Sequence, residues 1–101
     1  MTTPTRAALG TTVAAALAVS EIPHHFRGGL IRYFGEGIVP GGFLQAVLAN
    51  DLRLAIARAG PGSVLALEPL VRFLDDHAPA AAWGSAAAVA AWTTTPERLE
   101  V

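Results

Sequence analysis

The chain has 101 residues, a formal net charge of −1 and no cysteine. That length fits a single domain spanning 1–101. The charge excludes the basic field that draws a protein to nucleic acid, and the lack of cysteine excludes a disulfide frame, a thiolate nucleophile and a cysteine-based metal site.

Arg6 precedes a mostly apolar run over 7–19, and Ala18-Val19-Ser20 loosely resembles a signal-peptidase site. The run is interrupted by Gly10, Thr11 and Thr12 and is too short to span a bilayer. It reads as an ordinary helix, from about Pro4 to Val19, in a cytoplasmic protein. Thr2 and Thr3 can cap it, and Pro4 suits the first turn. Leu9, Val13, Ala16 and Leu17 share one face, and the small residues around them let a neighbouring helix approach closely. Residues 1–20 form an N-terminal element suited to assembly, 22–92 the core and 93–101 a frayed tail.

A second helix spans His24 to Glu36, with Phe26, Leu30, Tyr33 and Phe34 as its buried stripe and Gly37 as its C-cap. Gly28 and Gly29 inside it cost about 1 kcal/mol each relative to Ala. Close packing of a second backbone, or approach of a ligand, offsets that cost. The third helix, about Gly42 to Ala59, is apolar nearly all round, which indicates burial on most sides. Ser63 caps a fourth helix to His77, with Leu67, Leu70, Val71 and Leu74 inward. Pro69 demands a kink or a late start there. After the small-residue loop 80–82, Ser85 caps a last helix, Ala86 to Trp92. No strand-like alternation occurs, so the fold is all-α: a compact bundle of four to five short helices.

Hydrophobic residues make up 52% and charged residues 15%, against about a quarter charged in ordinary chains. A domain this small has little interior, so the excess points to a homo-oligomer whose interface buries it. Alanine enrichment is the plainer source of the same imbalance. All seven cationic residues are Arg, a composition that suits a GC-rich genome and supplies forked donors for phosphate or carboxylate.

Several residues are candidates for chemistry. Asn50-Asp51 falls inside the most apolar helix. A carboxylate buried there needs a partner, and Arg27, Arg32 and Arg58 are available. The pair either ties loops and helices together or lines a ligand pocket. Arg32 beside Tyr33 can hold an anion and stack a flat ring, or can be a solvated cation next to a core aromatic. Trp83-Gly84-Ser85 opens a helix whose free N–H groups suit an anion, with Trp83 free to stack on a ring or to plug the core. His24, His25, Asp75, Asp76 and His77 make a poor metal set, because adjacent helical residues point apart. Ser20, Ser63 and Ser85 read as caps rather than nucleophiles. The expectation is a protein that is not an enzyme and carries no metal or cofactor.

The segments Ile22-Pro23-His24-His25-Phe26-Arg27-Gly28-Gly29-Leu30-Ile31-Arg32-Tyr33, then 37–52 with its Pro-Gly-Gly-Phe-Leu and Asn-Asp-Leu blocks, then Ala78-Pro79 and Trp83-Gly84-Ser85 resemble a family of small phage and prophage proteins without a settled activity. The chain departs from that pattern at Gly60-Pro61-Gly62 and at Asp75-Asp76. The resemblance implies a role in host takeover or in countering defence. One form of that role is an oligomer that sequesters a nucleotide-derived, phosphate-bearing signal without turnover. Arg27, Arg32, Tyr33, Asn50, Asp51, Trp83 and Ser85 are its expected ligand-binding residues. The alternatives are a helical adaptor or inhibitor of a host protein and a structural phage component. Neither nucleic acid nor membrane is an expected partner.

Overall fold

The computed structural model describes residues 6–94. It is all-helical among them. Helix α1 (Arg6–Ala18) leads to α2 (His24–Glu36), α3 (Gly42–Leu48) and α4 (Leu52–Arg58). A 3-10 turn, Ser63–Ala66, opens onto α5 (Leu67–His77). A second, Ala80–Ala82, precedes α6 (Ala86–Thr94). The expected caps Thr2, Thr3 and Pro4 and the tail beyond Thr94 lie outside the described residues. The molecule is a slab of 44 × 29 × 19 Å. Its short axis is about two helix diameters, so most helices keep one side on the surface.

Val13 and Leu17 of α1 are fully buried, while Leu9 and Ala16 pack partly exposed against the core. The expected stripe of α2 is buried in full, through Phe26, Leu30, Tyr33 and Phe34. Where α1 and α2 cross, two glycines meet: a Cβ on Gly10 would lie 2.8 Å from Gly35 Cα. Gly29 is closed over by Leu44 and Pro40, so packing accounts for it, whereas a Cβ on Gly28 would meet only its own neighbour Arg32. Gly37 ends α2 in the left-handed conformation, with φ 69°. The Gly37 and Ile38 amides donate back to Tyr33 O and Arg32 O at 3.0 and 3.3 Å, the first of them the bond of a left-handed αL cap.

The expected single helix over 42–59 is two helices, so the described residues hold six α-helices rather than four to five. Asn50 adopts φ 59°, a left-handed conformation that Asn tolerates better than other non-glycine residues. Asp51 then starts α4, its Oδ1 accepting from Leu54 N at 3.0 Å. Burial follows the break. Five of the seven residues of α3 are buried, but in α4 only Ala55 is, so burial on most sides does not extend to the second half.

Pro69 produces a late start. The chain runs as a 3-10 turn to Ala66, and Pro69 falls in the first turn of α5, where its missing N–H has no intrahelical partner to lose. Ser63 does not cap this segment, because Gly62, with φ 81°, holds the cap position. Leu70 and Leu74 point inward as expected, joined by Phe73, while Leu67 is half-buried and Val71 faces solvent. Ser85 does cap α6, its Oγ accepting from Ala88 N at 3.0 Å, and α6 runs two residues beyond Trp92.

The two glycines of the α1–α2 region separate by substitution. Gly10→Ala gains about 1 kcal/mol of helix propensity but forces two backbones apart, at about 1–3 kcal/mol, so its urea midpoint falls. Gly28→Ala has only a flexible Arg side chain to displace, so its midpoint stays or rises. Equal shifts of the two midpoints would contradict the close crossing.

Candidate functional site

The residues that carry polar chemistry in the sequence are dispersed by the fold, and four of the seven are bound to their own backbone. Arg27 closes the α1–α2 connection: its Nε donates to Ile22 O at 3.1 Å and its Nη2 to Ser20 O at 3.4 Å. Tyr33 is fully buried, and its hydroxyl donates to Ala82 O at 2.6 Å. Burial pushes the phenol up from 10.0 to about 12, because an apolar surround disfavours phenolate. It therefore stays a neutral donor throughout the physiological range. Asp51 and Ser85 cap α4 and α6. The Asp51 carboxylate is exposed and has no Arg partner among the described residues, since the one ion pair there is Glu68–Arg72 at 2.8 Å.

The remaining three are not engaged in this way. Asn50 is exposed at the break between α3 and α4, and Arg32 is exposed on the outer side of α2. Trp83 is half-buried against the core. Its turn is fastened by Gly84 N donating to Leu48 O at 2.7 Å, which brings Trp83–Ser85 to the end of α3. Asn50 and Asp51 border a cleft of about 40 Å³ with Val47, Leu52, Ala55, Leu67 and Val71. None of the other five candidates lines that cleft.

One buried cation went unread in the sequence. Arg6 is 8% exposed, its guanidinium carbon 5.9 Å from the centre of the Trp92 ring, and its Nε has no hydrogen-bond partner. Cation–π attraction and contact with Gly37 hold it at the start of α1. Among the described residues no group of three His, Asp or Glu is placed to hold a metal ion, and no helix is long and apolar enough to cross a membrane.

The surface feature that stands out is apolar. Leu52, Ile56, Val64, Leu65 and Val71 are all exposed, Leu52 at 66% and Leu65 at 84%. They belong to α4, the 3-10 turn and the first turns of α5. Leu52, Leu67 and Val71 line a groove of about 520 Å³, rimmed by Glu68, Arg72 and Asp75. On the other side of α5, a groove of about 250 Å³ runs along the end of α1, touching Ala16, Val19, Pro69 and Phe73. Glu68 and Arg72 border both grooves. Sequence periodicity placed Val71 inward because it sits beside Leu70 and Leu74. The signal that could have exposed it is the Asn-Asp break, which leaves α4 too short to cover that side of α5.

No family model, curated protein or solved structure matches the chain.

Proposed function

We propose that this protein works by docking, without catalysis, through the apolar face of α4 and α5. A single observation carries the reading. Leu52, Ile56, Val64 and Val71 are all exposed on consecutive elements, and Leu52 and Val71 share a groove with Leu67, where a chain of 101 residues would ordinarily scatter its exposed apolar side chains singly. The polar residues of the groove are Glu68, Arg72 and Asp75, and no serine, threonine or histidine lines it to serve as nucleophile or base.

Carbene footprinting inside the expressing cell tests the reading. Leu52, Ile56 and Val71 are expected to label several-fold less than Val39, which is 48% exposed and lines neither groove. Labelling of all four in proportion to their exposure in the isolated chain would contradict it.

A second reading, sequestration of a phosphate-bearing signal, is favoured by the arginines. Of the six described arginines only Arg72 has a carboxylate partner among the described residues, which leaves Arg32, Arg53 and Arg58 exposed and available to an anion. A thermal-shift panel of linear and cyclic nucleotides tests it. A stabilising nucleotide whose effect is lost in Arg32→Ala supports sequestration through the α2 site, and a flat panel removes this reading.

A further inference from the structure

The α4–α5 groove carries an exposed leucine and charges of both signs. The inference drawn from it rests on the docking reading above and names its partner. A two-fold contact requires one patch to carry both a projection and the hollow that accepts it. Leu52, two-thirds exposed, lines the groove together with Leu67, which is half-buried, and Val71. We propose that two chains pair about a two-fold axis, each Leu52 seated between Leu67 and Val71 of the partner subunit.

The rim charges fit the same arrangement. Arg72 gives only its Nη2 to Glu68 within the chain, at 2.8 Å, and both side chains are largely exposed. The rest of its donor fork is unused. Asp75, one turn further along α5, has no ion-pair partner among the described residues. A two-fold pairing sets Arg72 against Asp75 of the partner subunit, twice. The patch thus carries opposite charges three residues apart around an apolar centre, and it is complementary to itself. A lone cationic or acidic partner would leave one sign of this rim opposed.

Sedimentation velocity and a charge-swap mixture test the pairing on the full chain. The wild type is expected to sediment at twice 10.4 kDa, and Leu52→Asp as a monomer with an unchanged helical spectrum. Arg72→Asp makes positions 72 and 75 both acidic, and the separate variant Asp75→Arg makes them both cationic. Each variant alone faces like charge across the axis and is expected to be monomeric. An equimolar mixture restores opposite charge at both contacts and is expected to sediment as a dimer. A wild type that stays monomeric at its highest soluble concentration overturns the proposal. So does a Leu52→Asp dimer, or two charge variants that behave alike alone and mixed. If the wild type is monomeric while the face remains protected inside cells, the docking reading stands and the second copy falls. Loss of protection as well removes both.

Discussion

The fold depends on Tyr33. From the last turn of α2 this residue reaches both parts of the C-terminal segment: its hydroxyl donates to Ala82 O, and its carbonyl accepts from Trp92 Nε1 at 2.8 Å. Sequence separations of 49 and 59 residues are bridged by one buried side chain and its own backbone. A buried polar group left without its partner costs about 1–3 kcal/mol, so each bond fixes where its element must sit. Phe34 and Tyr33 meet the Trp92 ring with centroids 6.4 and 6.5 Å apart. The aromatic contact and the two hydrogen bonds specify the same docking.

This anchoring ties α6 to α2 through Trp92, while α4 keeps only Ala55 buried and α5 leaves Val71 exposed. A body only 19 Å thick cannot bury both sides of every helix. Five of the eight large apolar side chains exposed among the described residues, Leu52, Ile56, Val64, Leu65 and Val71, fall on α4, the 3-10 turn and α5, so the imbalance between apolar and charged residues emerges chiefly there and not as a larger core. The polar residues are spent elsewhere, at helix ends and crossings, where backbone donors and acceptors lack intrahelical partners. In this account the same economy of charge produces both the fold and the docking surface.

Helix positions and the core of α2 were legible because their signals are local. The Phe26-Leu30-Tyr33-Phe34 stripe and the Gly37 cap follow from spacing and from one residue's tolerance of positive φ. The split at Asn50-Asp51 was also written locally, as a stop residue followed by a capping residue, but apolar periodicity running through it concealed the break. The fates of Val71 and Leu52 were not legible, because exposure on α4 and α5 depends on how short α4 is and where its neighbours lie. Nor was the Gly10–Gly35 crossing, since small residues along α1 permit a close approach without saying where. The candidate ligand residues were chosen by type. Type alone does not distinguish an Arg that binds a ligand from one, like Arg27, that closes a loop.

The measurement that tests the Tyr33 anchor most directly is hydrogen exchange of the two tryptophan indole protons. The Trp92 indole is bonded to Tyr33 O in the core, whereas Trp83 is half-buried and its indole has no hydrogen-bond partner among the described residues. If Tyr33 holds the C-terminal segment to α2, the Trp92 proton exchanges only through global opening, with the free energy found by denaturation, while the Trp83 proton exchanges far faster. Exchange of Trp92 as fast as that of Trp83 would show that α6 opens independently and would contradict the account.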